Sequence, residues 1–188
     1  MKITGVILAG GLGRRMGGND KGLALLHGRP MVAQVLERFA PQVDELLINA
    51  NRNPEVYAAF GARVVPDLVS GFAGPLAGLH TALSHAAHPL VATVPCDSPF
   101  LPADLVSRLA AALAAADADL AVAASGGRRH PVFCLCRKSL LPELTAALAG
   151  GERRFGTWCD SVRSVVAEFA DDDAFRNINT PEELAGSA

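Results

Sequence analysis

Short runs rich in valine, isoleucine and leucine alternate with amphipathic stretches along the whole chain. Uninterrupted apolar runs that contain β-branched residues are typical of strands buried on both faces of a sheet. We therefore predict strands at 3–9, 45–50, 62–66, 89–95, 118–124, 130–136 and 163–168. Apolar residues at helical spacing between these runs predict helices at 30–40, 53–60, 75–87, 102–115 and 139–149, followed by a short helix from Thr180.

The alternation of strands and helices predicts an α/β sandwich with a mainly parallel sheet. The helix at 102–115 is the clearest example, because Pro102 suits a first helical turn and Asp104 is a good N-cap candidate. In such a sheet, ligands bind outside the carboxyl ends of the strands. The loops that follow the strands are therefore the places to look for chemistry.

Length and composition indicate one domain that spans residues 1–188. Half of the 188 residues are hydrophobic (50%), which is enough for one core and leaves little room for a second domain. The net charge of -2 arises from 17 basic and 19 acidic residues without a block of like charges, so neither nucleic acid nor an anionic membrane surface is expected as a partner. The N-terminal apolar stretch is too short for a signal peptide or a membrane span, and we expect a cytoplasmic protein.

The four cysteines, Cys96, Cys134, Cys136 and Cys159, lack the CxxC spacing of a zinc site. Cys134 and Cys136 alternate along a predicted strand, so their thiols should point the same way without completing a set of four ligands. We expect all four side chains to be reduced thiols.

The segment 8–23, LAGGLGRRMGGNDKGL, follows the first predicted strand and contains six glycines. Backbone without Cβ atoms lets N–H groups approach a phosphate closely, and Arg14, Arg15 and Lys21 could neutralise its charge. The segment fits neither the P-loop, since glycine follows Lys21, nor the dinucleotide fingerprint, since Met16 stands at the third glycine. We predict a phosphate-binding loop, with an ordinary flexible loop as the alternative.

Two further loops carry candidate chemistry. In PCDSPFLP, Asp97 follows a buried strand between Pro95 and Pro99, a rigid turn that could aim its carboxylate at Mg²⁺ and substrate phosphates. The alternative is a carboxylate that merely caps this turn. In PDLVSGFAGPLAGL, Asp67 follows a strand, and the glycines after it permit close approach to a base or ribose.

Five motifs, in this order and across nearly the whole chain, resemble the molybdenum cofactor guanylyltransferases: LAGGLGRRMGGNDKGL, PDLVSGFAGPLAGL, PCDSPFLP, RHPVFCL and FRNINTPEEL. The first and third are similar to those of nucleotidyltransferases in general, and DKGL, GPLAGL and NINTPEEL indicate the molybdenum-cofactor branch. The resemblance implies a Rossmann-like three-layer sandwich of nucleotidyltransferase type. It also implies Mg²⁺-dependent transfer of GMP from GTP to the terminal phosphate of Mo-molybdopterin, which releases pyrophosphate.

The resemblance also implies roles for individual residues. Those expected at the nucleotide and its phosphates are Leu8, Ala9, Gly10, Gly11, Arg15 and Lys21. Those expected around the base and ribose are Asn49, Asp67 and Gly78, and Asp97 is expected to hold Mg²⁺. Those expected on the pterin side are Asn177, Asn179 and the region 129–131, with Arg153 and Arg154 as further candidates. Cys134 departs from the small neutral residue that the family pattern suggests.

An anionic phosphate is itself the attacking group in such a reaction, so positioning and charge neutralisation should provide most of the rate. We expect no covalent nucleophile and no general base at His130, and we expect GTP to be preferred over ATP. We expect a monomer that makes transient contact with molybdenum insertion proteins and molybdoenzyme chaperones. Two alternatives remain: a nucleotidyltransferase that uses CTP on molybdopterin or an NTP on a sugar phosphate, and a non-catalytic protein that handles molybdopterin.

Overall fold

A computed structural model describes residues 1–10, 20–69 and 74–178 of the chain. The strands are β1 (Ile3–Leu8), β2 (Leu25–Leu26), β3 (Arg29–Pro30), β4 (Glu45–Asn49), β5 (Arg63–Val65), β6 (Leu90–Pro95), β7 (Leu120–Ser125), β8 (Arg128–Arg137) and β9 (Ser164–Phe169). The α-helices are α1 (Met31–Phe39), α2 (Pro54–Ala58), α3 (Pro75–His85), α4 (Leu105–Ala115), α5 (Leu141–Ala149) and α6 (Phe155–Ser161).

Seven strands form one sheet in the order β5-β4-β1-β6-β8-β7-β9. β8 is antiparallel to both of its neighbours, and the remaining pairs are parallel. The chain places β4 and β5 on one side of β1 and then crosses to β6 on the other side. This reversal beside β1 is where open α/β sheets bind their ligands.

Two apolar clusters cover the two faces of the sheet. One contains buried residues of α1 and α4, such as Val35 and Leu109. The other contains buried residues of α3, α5 and α6, such as Leu79, Leu144 and Trp158. The molecule is therefore a three-layer sandwich with a mainly parallel sheet, as predicted, because the β-branched central strands need cover on both sides.

Each predicted strand of the sheet is present, and most helix ends lie within two residues of the prediction. One helix boundary was wrong: α4 begins at Leu105, so Pro102 precedes the helix. Asp104 occupies the N-cap position, but its side chain makes no capping hydrogen bond and lies 3.8 Å from Arg108 instead. The helix predicted from Thr180 lies outside the described residues.

Two elements were not predicted. β2 and β3 form a hairpin whose two connecting residues, His27 and Gly28, have φ values of 53° and 75°. Positive φ at both central positions is the geometry of a tight type I′ turn. The second element is α6, which buries Phe155, Trp158 and Cys159.

All four cysteines are free and buried, and Cys134 and Cys136 contribute to the same apolar cluster, as their alternation predicts. Within the described part of the chain, no helix has the length and apolar character needed to cross a membrane.

Candidate active site

The carboxyl ends of three neighbouring strands meet at one point of the sheet edge. Leu8, the last residue of β1, lies opposite Asn49 of β4 on one side and Pro95 of β6 on the other. The pairing continues beyond the strands, because Ala9 N–H donates to the Asn49 carbonyl (2.8 Å) and Cys96 N–H donates to the Leu8 carbonyl (3.1 Å). The loops that follow these strands therefore start side by side.

Lys21 and Asp97 form an ion pair across this edge, with 3.2 Å between Lys21 Nζ and Asp97 Oδ2. Lys21 opens a 3-10 turn, Lys21–Leu23, and Asp97 comes two residues after β6. Asp97 is only 7% exposed. Burial raises the pKa of the Asp97 carboxyl, while the charge of Lys21 and its hydrogen bond oppose the rise. Lys21 alone thus compensates only part of the cost of burying this negative charge.

The surroundings of Asp97 fit a magnesium ion that takes its other ligands from a substrate. A carboxylate oxygen is the hard donor that Mg²⁺ prefers, and one or two carboxylates suffice when phosphate oxygens complete the shell. Over residues 1–10, 20–69 and 74–178, no group of three His, Cys, Asp or Glu side chains is placed to hold a metal. A single carboxylate such as Asp97 could hold a metal ion that is shared with substrate phosphates.

Asp67 is held by Asn49, the last residue of β4, and by Asn51, two residues further on. Asn49 Nδ2 donates to Asp67 Oδ1 (2.9 Å) and to the Val65 carbonyl (3.2 Å). Asn51 Nδ2 donates to Asp67 Oδ2 (2.8 Å), while the Asn51 side-chain oxygen accepts from Asp67 N–H (2.8 Å). Asn49 is 1% exposed and donates both amide hydrogens within the protein. Its contacts therefore hold the partly exposed Asp67 carboxylate at the edge of the site.

Two glycines pack against this Asn49 and Asp67 arrangement. A Cβ atom at Gly78 would lie 2.7 Å from Asn49 Oδ1 and 3.1 Å from Leu8 Cδ2. A Cβ atom at Gly10 would lie 3.2 Å from Asn51 Nδ2 and 3.3 Å from Asn49 Oδ1. A side chain at Gly78 would force Asn49 or helix α3 to move, whereas one at Gly10 would make tight contacts that need a shift of only a few tenths of an ångström.

A cavity of about 470 Å³ lies at the end of β7 and the start of β8, which come after β6 in the order of the sheet. It is lined by Ser125, Gly126, Arg128, His130, Asp172, Asp173, Phe175, Arg176 and Asn177. Ser98 Oγ donates to Asn177 Oδ1 (2.6 Å), and Ile178 N–H donates to the Asp97 carbonyl (2.9 Å). The segment that carries Asn177 is thus tied directly to the loop that carries Asp97.

His130 lies in this cavity beside an irregularity in the sheet. The register of β7 and β8 shifts so that Val122 pairs with Cys134 and Ala123 pairs with His130. The imidazole stacks on Phe175 at 4.7 Å between ring centroids, and its Nε2 lies 2.8 Å from Ser125 Oγ. Burial and the nearby Arg128 charge lower the pKa of His130.

Most described site residues predicted from the sequence lie along this edge: Leu8, Ala9, Gly10, Lys21, Asn49, Asp67, Gly78, Asp97 and Asn177. Three others, Gly11, Arg15 and Asn179, lie outside the described residues. Two of the arginine candidates have partners within the protein, since Arg129 pairs with Asp160, and Arg153 donates to the Leu148 and Glu152 carbonyls. Sequence reasoning missed Asn51 and Ser98; the alternating asparagines of 49–53 were the available signal for Asn51.

The fold, with a lysine and a buried carboxylate facing each other at the sheet reversal, is that of a nucleotidyltransferase. Residues 5–164 match the family model described as the MobA-like NTP transferase domain, and the chain belongs to this family.

Relatives named molybdenum cofactor guanylyltransferase align over nearly their whole length. The one from Cupriavidus necator is 54% identical over 187 residues, covering 97% of this chain and 94% of its own. The one from Shewanella sp. strain MR-4 is 52% identical over 184 residues, covering 97% and 93%. These matches confirm the family that the motifs predicted.

Solved structures agree with the fold. Molybdopterin-guanine dinucleotide biosynthesis protein A from Archaeoglobus fulgidus superposes with a TM-score of 0.80 at 25% identity, covering 98% of this chain and 95% of its own. The 4-diphosphocytidyl-2C-methyl-D-erythritol synthase from Anaerococcus prevotii has a TM-score of 0.78 at 14% identity, covering 98% and 93%. At that identity, the second match concerns the fold alone.

Proposed function

We propose that the protein transfers GMP from GTP to the terminal phosphate of Mo-molybdopterin, giving molybdopterin guanine dinucleotide and pyrophosphate. A phosphate oxygen of the acceptor forms a bond to the α-phosphorus of GTP, and the bond from that phosphorus to the oxygen of the leaving pyrophosphate breaks. The observation that carries the proposal is the Lys21 and Asp97 pair at the sheet reversal. In the order of the sheet, β6, which precedes Asp97, lies between β5, which precedes Asp67, and the strands β8 and β7 that line the cavity.

Neutralisation of negative charge is the main task of such a site, since both substrates are anions. We assign Lys21, together with Arg15, to the phosphate oxygens; the position of Lys21 beside Asp97 supports this role. Asp97 would hold Mg²⁺. When bound, Mg²⁺ polarises the α-phosphoryl group and offsets the charge of the departing pyrophosphate.

The two sides of Asp97 suit different substrates. The residues on one side are assigned to GTP, with Asp67 at the ribose or base. They are Leu8, Ala9, Gly10, Gly11, Asn49, Asp67 and Gly78. On the other side, the cavity has room for a pterin-sized ring and carries Arg128 and Arg176 for an anionic group. Asn177 and Asn179 are assigned to this acceptor side.

No side chain is required as a covalent nucleophile or a general base, because the acceptor phosphate is already ionised. His130 fits this scheme as a neutral ring, since its lowered pKa keeps it uncharged at neutral pH. Its stack on Phe175 gives the cavity a flat wall beside which a pterin ring could lie.

The decisive experiment is incubation of the protein with Mg²⁺, Mo-molybdopterin and each of the four NTPs, with products identified by mass. We expect the dinucleotide from GTP and little from ATP, because a site that hydrogen-bonds guanine O6, N1 and N2 leaves buried groups unpaired with adenine. Product from CTP, or from a sugar phosphate acceptor, would favour the alternative nucleotidyltransferase. Tight molybdopterin binding without product would favour a non-catalytic carrier.

We further propose that the protein acts as a monomer in the cytoplasm, where GTP is available. The large hydrophobic side chains that are exposed in the described residues, such as Leu25, Val56, Leu68 and Val166, belong to separate elements or loops. Contacts with molybdenum insertion proteins and molybdoenzyme chaperones would then be transient, as expected for handing over the product. Size-exclusion chromatography with light scattering tests the monomer.

A further inference from the structure

Lys21 follows a residue that is anchored from another part of the chain. The carboxylate of Asp20 accepts a hydrogen bond at Oδ1 from the Tyr57 hydroxyl. At Oδ2 it accepts one from Asn53 Nδ2, at 3.0 Å. Tyr57 lies on helix α2, and Asn53 is the residue just before that helix. Both oxygens of one carboxylate are therefore fixed by side chains more than thirty positions along the sequence.

The residue after Lys21 meets the same tyrosine. A Cβ atom at Gly22 would lie 2.5 Å from the Tyr57 hydroxyl oxygen and 3.2 Å from Cys96 Sγ. Only glycine lets the backbone approach so closely, because the hydroxyl and the β6 loop leave no room for a side chain. The two neighbours of Lys21 are thus both held against Tyr57.

Tyr57 is a rigid anchor for this contact. Its side chain is 0% exposed and belongs to the apolar cluster that also contains residues of α1 and α4. Burial, Cys96 and Asp20 raise the pKa of Tyr57. The hydroxyl therefore stays protonated and acts as the donor to Asp20.

The segment 49–53 connects this anchor to the Asp67 arrangement. Its first and third residues, Asn49 and Asn51, hold Asp67, and its fifth, Asn53, holds Asp20. Asn53 has the left-handed backbone conformation, with φ 50° and ψ 43°, a region that asparagine tolerates better than most residues. The segment 49–53 therefore fixes the position of the Asp67 side chain and, through Asp20, that of the backbone next to Lys21.

We propose that Asp20, Asn53 and Tyr57 are positioning residues for Lys21. They fix the backbone from which Lys21 reaches Asp97 and the phosphates, and they influence transfer only through that lysine. This inference rests on the proposed function, in which Lys21 neutralises the triphosphate.

A double-mutant cycle tests whether Tyr57 acts through Lys21. The variants are Tyr57→Phe, Lys21→Met and the pair together, measured for GMP transfer and for affinity of GTP with Mg²⁺. We expect Tyr57→Phe to lower transfer about tenfold in the natural background, and by less than about twofold once Lys21 is already Met. Asn53→Gly keeps the left-handed backbone available and should act in the same direction more weakly.

Thr4→Val is the matched control for the loss of a buried hydroxyl. Thr4 is fully buried and donates to the Glu45 carboxylate at 2.6 Å, as Tyr57 donates to Asp20, but it lies toward the amino end of β1. If Tyr57 matters only for stability, Thr4→Val and Tyr57→Phe should affect melting and transfer alike. The proposal would also be overturned if Tyr57→Phe lowered GMP transfer by the same factor in the natural protein and in the Lys21→Met variant.

A crystal structure of Tyr57→Phe gives a readout that needs no substrate. We expect the distance from Lys21 Nζ to Asp97 Oδ2 to lengthen from 3.2 Å, or the turn at Lys21–Leu23 to shift. An unchanged ion pair and turn would overturn the inference whether or not the protein transfers GMP. Absence of dinucleotide with the natural protein would instead overturn the proposed function and leave this structural test to decide the positioning role.

Discussion

The buried position of the Asp97 carboxylate lowers the stability of the fold and favours binding of a cation. Its carboxylate is buried, and burial raises its pKa even though Lys21 lies 3.2 Å away. An acid whose pKa is raised by folding lowers the stability of the fold at high pH. This cost decreases as the pH falls below the folded pKa and is gone below the unfolded pKa. A cation or a metal-bound phosphate would relieve the same cost at neutral pH. The residue is therefore better suited to bind a charged partner than to support the fold.

Replacing Asp97 by asparagine should lower GMP transfer by roughly 100-fold or more, on the scale of losing one strong electrostatic stabiliser. Asparagine keeps the size of the side chain but removes the charge that would retain Mg²⁺. Raising the Mg²⁺ concentration should restore part of the rate, because phosphate oxygens still supply ligands. Transfer rates measured over a Mg²⁺ series check both expectations.

Thermal melting of the same variant separates this role from a turn cap. We expect Asp97→Asn to melt at or above the natural midpoint at pH 7, since a costly buried charge is gone. The difference should stay constant above the raised pKa of Asp97 and shrink as the pH falls below that value. A lowered midpoint with near-normal turnover would contradict the metal site and indicate a carboxylate that only caps the turn between Pro95 and Pro99.

At the scale of secondary structure, apolar runs predicted the sheet because its strands are buried on both faces. The hairpin of β2 and β3 escaped prediction because its turn residues, His27 and Gly28, lack the Asn-Gly or Asp-Gly signal of a type I′ turn. Helix α6 is short and contains Gly156. Its buried residues Phe155, Trp158 and Cys159 nevertheless have the spacing of one helix face, and that was the signal available.

The candidate site was predictable where it depends on strand ends. Asp67 and Asp97 each lie two residues after a strand, and the carboxyl ends of parallel strands meet at one edge. The anchoring residues were not predictable, because their contacts depend on loop conformation. Asn53 reaches Asp20 from a left-handed backbone, and nothing in the local sequence indicates a hydrogen bond over that distance along the chain.

A side chain at Gly78 of helix α3 should destabilise the protein. Alanine is the better helix former, but its Cβ would lie 2.7 Å from Asn49 Oδ1, so the helix or the asparagine must move. We expect Gly78→Ala to lower the free energy of unfolding by about 1–3 kcal/mol, as overpacking typically does. GTP affinity should fall as well, since Asn49 holds Asp67. Chemical denaturation and calorimetric titration with GTP measure the two effects.

Gly156→Ala in α6 provides the comparison for this helix substitution. The nearest atom to a Cβ there is Pro131 Cγ at 3.9 Å, an ordinary contact. We expect this variant to be unchanged or up to about 1 kcal/mol more stable, from helix propensity alone. Similar changes in the free energy of unfolding for both alanine variants would mean that Asn49 moves away at little energetic cost. The close contact at Gly78 would then not contribute to stability.

At the scale of the whole molecule, the two apolar clusters are separated by one sheet and belong to helices on opposite faces. Leu109 of α4 lies in one cluster, and Trp158 of α6, the single tryptophan of the chain, lies in the other. The central strands contribute residues to both clusters, with Ile7 on one face and Val6 on the other. Loss of packing on either face should therefore weaken both.

We predict that the chain unfolds as one cooperative unit, the behaviour expected of a single domain. Trp158 fluorescence and far-ultraviolet circular dichroism should then report the same denaturant midpoint. Leu109→Ala removes buried side-chain volume on the face opposite Trp158 and should cost about 2–5 kcal/mol. Because the sheet transmits that loss, the fluorescence midpoint should shift by as much as the dichroism midpoint. A fluorescence transition that stays in place while the dichroism splits into two steps would show that the faces unfold separately and that the single-domain prediction is wrong.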